Sequence, residues 1–151
     1  MTKSITHQFF FPHPKETVWE YLTKSELLEQ WLMKNDFQPI VGRDFQFRTN
    51  PIPSLDFDGV CQCRVLEIVP FKKLSYSWKG GSGKGEITLD TIVVWKLEAK
   101  DNGTELFLEH SGFGKGEHLN FYPGMTDGWM KNVQKIMNLL NTPNDGTTTK
   151  A

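Results

Sequence analysis

Residues 86–111, EITLDTIVVWKLEAKDNGTELFLEHS, carry the pattern that decides the fold class. Apolar and polar residues alternate on both sides of Asn102-Gly103, a dipeptide typical of the tight turn in a β-hairpin. We therefore predict one strand over residues 86–99 and another over 104–111. One face of the first strand carries Ile87, Leu89, Thr91, Val93, Trp95 and Leu97.

Further strands are predicted on the N-terminal side of this hairpin. They cover residues 4–11, 43–49, 57–69 and 73–79, where apolar residues alternate with polar ones or follow one another. Clusters of proline and glycine, such as those at 50–53 and 80–85, separate them. Because the connections are short, we expect a six-stranded antiparallel sheet.

Helical spacing occurs at the two ends of the chain. Residues 14–22 and 23–32 predict two short helices between the first two strands, and Thr23 with Glu26 has the spacing of a capping box. From about Pro123, apolar residues recur every three or four positions, which predicts a long C-terminal helix. Residues 1–142 are expected to form a single domain, followed by a disordered tail over 143–151.

The composition excludes several classes of function. A net charge of -1, from 17 Lys+Arg against 18 Asp+Glu, gives no basic field for nucleic acid. No apolar run could span a membrane, and MTKSITHQFFF lacks the features of a signal peptide, so we expect a cytoplasmic protein. No cofactor is predicted, since neither glycine cluster, the one at 80–85 or the loop predicted at 112–116, has a phosphate-loop or dinucleotide pattern. Cys61 and Cys63 should be reduced, buried thiols on one strand face.

The order of elements and several short motifs resemble a known superfamily. The motifs include PKETVW at 14–19, VLEIVP at 65–70, LSYSW at 74–78 and HSGF at 110–113. On these residues the chain resembles the START-like (SRPBCC, birch-pollen-allergen-like) superfamily, and within it the homologues of the activator of Hsp90 ATPase. The resemblance implies an α+β helix-grip fold, in which a curved six-stranded antiparallel sheet wraps around the long C-terminal helix.

The same resemblance implies a function, the binding of a small hydrophobic molecule in a cavity between the sheet and the C-terminal helix. Such a cavity has apolar and aromatic walls with a few polar groups. The candidate lining residues are Trp31, Phe45, Phe47, Tyr76, Trp78, Leu106, Leu108, His110, Trp129, Val133 and Met137. Of the tryptophans in the two short helices, Trp31 is expected to face the ligand, and Trp19 is expected to have a structural role by packing against the rest of the protein. The same aromatic residues would also fill a solid core, so both interpretations stay open.

Two alternative functions remain. A protein-interaction module with a chaperone partner follows from the resemblance, although the chain is expected to lack the N-terminal domain of the eukaryotic co-chaperones. An enzyme of cyclase or hydrolase type would use His110 or Glu67 as acid or base. This alternative is less favoured, because the sequence has no G-x-S-x-G motif and no conventional metal motif.

The two acid–base candidates have structural interpretations as well. His110 is in phase with Leu106 and Leu108, so its ring either contacts a ligand, is hydrogen-bonded within the core, or lies in water at the end of the sheet. Glu67 is expected to be exposed. The pairs Glu109-His110 and Glu117-His118 do not share a helix face, so a metal site between them is not favoured.

Overall fold

A computed structural model describes residues 3–55, 57–84, 87–113 and 122–141 of the 151-residue chain. The elements, in chain order, are β1 (Lys3–Phe11), α1 (Lys15–Thr23), α2 (Ser25–Trp31), β2 (Lys34–Asn35), β3 (Asp44–Arg48), a short 3-10 turn (Pro53–Leu55), β4 (Val60–Val69), β5 (Lys73–Gly81), β6 (Ile87–Lys100), β7 (Gly103–Phe113) and α3 (Tyr122–Asn141). No helix in these ranges is long and apolar enough to cross a membrane.

The strands form one antiparallel sheet with the order β1-β7-β6-β5-β4-β3-β2. The α+β class, the antiparallel sheet, the two short helices and the long C-terminal helix are all as predicted. The prediction of six strands was wrong, because the described residues contain a seventh, β2. This strand has two residues, which pair with Arg48 and Phe47 of β3, and is too short to show an alternating pattern.

One face of the sheet is covered by the helices and forms the core. On β6, Leu89, Thr91, Val93, Trp95 and Leu97 share one face, as predicted, and all five are buried. Ile87 was placed on the same face but is 51% exposed. The register between β5 and β6 shifts between Gly80 and Gly81, and Ile87 pairs with Gly81 beyond that shift. The alternation of buried and exposed side chains along β6 therefore does not extend to Ile87. The α3 helix contacts α2 and β1 across this core.

The junction between α1 and α2 differs from the prediction. Thr23 is the last residue of α1, and its hydroxyl donates a hydrogen bond to the carbonyl oxygen of Trp19 at 2.8 Å. The N-cap of α2 is Lys24, which has an extended backbone and no side-chain capping bond. The predicted capping box is therefore wrong, because the Thr23 hydroxyl is used within its own helix.

Several predicted boundaries also move. Strand β4 begins at Val60, and Phe57 makes an isolated bridge with Ile52 instead of joining the strand. Gly112, predicted to open a glycine loop, lies within β7, which continues to Phe113. The rest of that loop, at 114–116, and the predicted tail at 143–151 lie outside the described residues.

Candidate functional site

The structure brings the candidate lining residues together on the inner face of the sheet. All are buried except Met137, which is half-buried against the others. Their rings contact one another. Trp78 stacks on Phe47 with ring centroids 5.1 Å apart, and it meets Trp129 edge to face at 5.5 Å. Most of this space is therefore filled by the side chains themselves.

Trp31, the residue expected to face a ligand, packs within the core. It is 1% exposed, and its indole N–H donates to the carbonyl oxygen of Tyr21 at 2.7 Å. Its ring meets that of Trp95 edge to face at a centroid distance of 5.9 Å. These contacts join the end of α2 to the middle of β6 and to α1.

A chain of hydrogen bonds crosses the core through His110. The Trp129 indole N–H donates to His110 Nδ1 at 3.0 Å. On the other side of the ring, His110 Nε2 lies 2.7 Å from Thr91 Oγ1, and that hydroxyl donates to the Trp78 carbonyl oxygen at 2.8 Å. The chain thus joins α3 to three adjacent strands.

The donors in this chain fix the form of the imidazole. An indole N–H can only donate, so Nδ1 of His110 must be the acceptor and carry no proton. The Thr91 hydroxyl already donates its proton to Trp78, so it accepts from an Nε2–H. Burial lowers the pKa of His110 to about 3, which keeps the ring neutral, as this pattern requires.

These bonds leave His110 no free nitrogen. It is 0% exposed, and each ring nitrogen has a hydrogen-bond partner from the protein. The geometry therefore corresponds to the structural interpretation, a histidine hydrogen-bonded in the core. In this arrangement the ring could neither bind a metal nor exchange a proton with a substrate.

Glu67, the other acid–base candidate, lies on the surface. The pairing of β4 with β5 is irregular between Val65 and Glu67, and this shift turns Glu67 outward. Its carboxylate pairs with Lys73 at 2.9 Å, and its side chain is 48% exposed. Glu67 and His110 therefore do not share a site, and the expectation that Glu67 is exposed is confirmed.

The two cysteines are free and buried on the inner face of β4. Burial raises the pKa of the Cys61 thiol to about 12, and that of Cys63 well above the usual range for a cysteine. Both are therefore neutral thiols, as expected. Within the described ranges, no group of three or more His, Cys, Asp or Glu side chains could hold a metal ion, and Glu117-His118 falls outside those ranges.

A cleft opens where α3 passes the end of α2 and the inner face of β5. Its volume is about 140 Å³. The residues that line it are Leu32, Met33, Trp78, Gly124, Met125, Gly128, Trp129 and Asn132. None of them is charged, and Trp78 and Trp129 are the two that the sequence had suggested.

Gly124 and Gly128 lie four residues apart and on the same side of α3, so the cleft runs along a stripe without side chains. A Cβ built at either position would meet no atom within 4 Å among the described residues. Neither glycine has a positive φ. A glycine in a helix costs roughly 1 kcal/mol relative to alanine, and within the described part of the chain neither packing nor backbone conformation requires these two. Because neither position carries a side chain, open space lies beside both of them along the cleft.

The Trp78 ring lines the cleft, and the ring carries a buried hydrogen-bond donor. Its buried indole N–H has no hydrogen bond of ordinary geometry in the described part of the chain. It lies close to the Cys61 thiol, which is only a weak acceptor. The sequence did not reveal the cleft, although two glycines four apart in a predicted helix were a usable signal.

A family model for the activator of Hsp90 ATPase homolog 1-like proteins matches residues 12–141. The chain belongs to this family. This membership confirms the resemblance inferred from the motifs. The structure has the helix-grip architecture of this family, a fold known for binding hydrophobic ligands. Among curated proteins, none matches the chain.

Solved structures show the same fold. Protein MLL2253 from Mesorhizobium loti has 33% identity and a TM-score of 0.81, with 94% of this chain and 99% of that one covered. BH1534 from Bacillus halodurans has 26% identity and a TM-score of 0.72, and the match covers 91% of this chain and 98% of BH1534. DynU16, a protein in the dynemicin biosynthetic locus, has 20% identity and a TM-score of 0.73, and the match covers 92% of the present chain and 47% of DynU16.

Proposed function

We propose that this protein binds a small, uncharged apolar molecule that places a ring in the cleft along α3. The observation behind the proposal is the glycine stripe, Gly124 and Gly128, which leaves open space beside two tryptophans. A volume of about 140 Å³ is close to that of an apolar protein cavity able to hold a benzene ring, roughly 150 Å³. A larger ligand would keep the rest of its body outside the cleft.

The lining favours a flat, uncharged ligand. Trp78 and Trp129 offer aromatic surfaces, and Met33 and Met125 are flexible side chains that adapt to irregular shapes. The Asn132 amide supplies a polar group, which would orient a ligand with one hydrogen-bonding substituent. A charged ligand would lose its hydration without gaining an ionic partner from these residues.

The remaining candidate residues then have a supporting role. The rings of Phe45, Phe47 and Tyr76 pack behind Trp78 and hold it in place. The bond between Trp129 and His110 fixes the other tryptophan. The co-chaperone alternative has only the family membership behind it.

The test uses phenylnaphthylamine, an uncharged apolar dye whose fluorescence rises on binding. Gly128→Leu should weaken its binding at least about tenfold, because the new side chain occupies the cleft. The variant should fold, since there is open space at this position and leucine has a higher helix propensity than glycine. Gln134→Leu, at an exposed position of the same helix, is the control and should bind like the wild type. Equal affinity in folded Gly128→Leu and wild-type protein would refute the proposal.

A further inference from the structure

A second groove lies on a different part of the molecule, where the start of α1 approaches the β4–β5 turn and the end of β6. Its volume is about 390 Å³, within the range of small-molecule sites. The residues that line it are Lys15, Phe71, Lys72, Lys73, Lys96, Leu97, Glu98 and Ala99. It shares no lining residue with the cleft along α3.

The groove is positively charged. Four of its lining residues are lysines and one, Glu98, is acidic. Lys73 is paired with Glu67, which lies outside the lining. Within the described ranges, Lys15, Lys72 and Lys96 have no carboxylate within 4.0 Å. Three lysines that have no ionic partner among the described residues therefore line one groove, in a chain whose net charge is -1.

One residue that lines the groove is aromatic and has an unfavourable backbone conformation. Phe71 has a φ of 64°, in the left-handed region that favours glycine or asparagine. The turn is fixed by bonds from Lys72 N to the Val69 oxygen and from Leu97 N to the Lys72 oxygen, both 2.9 Å. The Phe71 ring lies 6.0 Å from that of Trp19 and remains 38% exposed.

We propose that this groove binds an apolar molecule carrying one acidic group, such as a carboxylate, sulfonate or phosphate. Lys72 and Lys96 would pair with the acidic group, and the apolar body would lie on Phe71 and Ala99. An uncharged molecule would leave the lysines unpaired, and a small inorganic anion would leave the Phe71 ring exposed. This site is separate from the proposed function and does not depend on it.

The test compares two dyes that share a ring system, anilinonaphthalene sulfonate and the uncharged phenylnaphthylamine. We expect the Kd of the sulfonate, measured by fluorescence at low salt, to rise at least about tenfold in Lys72→Glu/Lys96→Glu. Lys34→Glu/Lys135→Glu makes the same change in net charge at exposed positions outside the groove and should shift that Kd by less than about twofold. Amide chemical-shift changes with the sulfonate should centre on Phe71, Leu97 and Ala99.

Two results would overturn the assignment. One is an equal weakening of sulfonate binding in both double variants, which would indicate a general effect of net charge. The other is loss of sulfonate binding in Gly128→Leu but not in Lys72→Glu/Lys96→Glu, which would place the dye in the cleft along α3. Phenylnaphthylamine binding in Lys72→Glu/Lys96→Glu should match the wild type, so each of the two proposed sites can be refuted without refuting the other.

A final comparison separates a free ligand from a membrane surface. Phosphatidylglycerol vesicles carry the same anionic chemistry, and phosphatidylcholine vesicles serve as the uncharged control. We expect no co-sedimentation with either, because a concave groove accepts a single molecule more readily than a lipid surface. Co-sedimentation with phosphatidylglycerol alone, lost in Lys72→Glu/Lys96→Glu, would overturn the assignment to a free ligand.

Discussion

His110 shows at the scale of one residue how a polar side chain can serve the fold. Its hydrogen bonds to Trp129 and Thr91 are made at both ring nitrogens, so the buried imidazole leaves no polar atom unsatisfied. A fully satisfied network of this kind favours one arrangement of the elements it joins. Here it fixes where α3 sits against β6 and β7, and therefore where Trp129 faces the cleft.

The low pKa of His110 predicts a pH dependence of stability. In the folded protein the ring resists protonation until about pH 3, whereas in the unfolded chain it takes up a proton near pH 6.5. Between these values the unfolded state binds more protons, so the free energy of unfolding should fall as the pH falls. The contribution is at most about 1.4 kcal/mol per pH unit and should be absent in His110→Gln.

Urea unfolding at a series of pH values between 6.5 and 4.5 measures this contribution. His13→Gln is the matched control, because His13 is half-exposed and bonds Asn141 at 2.9 Å on the surface. Its pH slope should equal that of the wild type. A wild-type slope equal to that of His110→Gln would contradict the prediction.

The sequence indicated that His110 points inward but not what it does there. Its phase with Leu106 and Leu108 is a local property of one strand. Its partners are Thr91 on β6 and Trp129 on α3, and each lies 19 residues away along the chain. Such contacts are set by tertiary packing, so a core histidine and a pocket histidine have the same local pattern.

At the scale of a structural element, the connection between β3 and β4 depends on one glycine, Gly59. Gly59 has a φ of 91°, and a Cβ there would lie 2.4 Å from the Thr49 carbonyl oxygen. Gly42, before β3, has a φ of 88°, but among the described residues no atom would lie within 4 Å of such a Cβ. We expect Gly42→Ala to cost about 1 kcal/mol for the backbone alone, and Gly59→Ala roughly 3 kcal/mol because the clash is added.

Urea denaturation of the two variants beside the wild type tests this difference. Since both glycines have nearly the same φ, the comparison separates steric contact from conformational strain. Equal losses of stability in the two variants would show that the close approach to Thr49 relaxes without cost.

Periodicity accounts for most of the elements. Long segments such as β6 and α3 repeat their pattern often enough to be recognised from sequence. The strand β2 has only two residues, and its pairing depends on β3. The capping box failed for a related reason, since a Thr-x-x-Glu spacing does not reveal whether the threonine is still inside the preceding helix. The cleft along α3 required knowing what surrounds two glycines.

The state of the buried thiols follows from the molecule as a whole. Cys61 and Cys63 lie on β4, between β3 and β5, with their side chains in the core. A reagent reaches them only when the sheet opens, and burial raises the pKa of Cys61 to about 12. Labelling by an aromatic disulfide at pH 8 should therefore be at least about a thousandfold slower in the native protein than in urea.

Mass spectrometry of the labelled protein over time provides the measurement. Because both cysteines lie on the same strand, they should react together, without an accumulating singly labelled species. Rapid labelling of one thiol in native protein would contradict this and indicate local opening of β4. Cys63→Ser, which retains Cys61, shows whether the remaining thiol keeps the slow rate.

The order of strands in the sheet has a consequence for synthesis on the ribosome. β1 is made first, yet it lies at the edge of the sheet and pairs with β7 (Gly103–Phe113). Until that partner leaves the ribosome, Phe9, Phe10 and Phe11 have no strand to pair with. The nascent chain thus carries an unpaired, phenylalanine-rich segment until β7 is made, the kind of segment that favours aggregation. Slow translation before residue 103 would lengthen this vulnerable period.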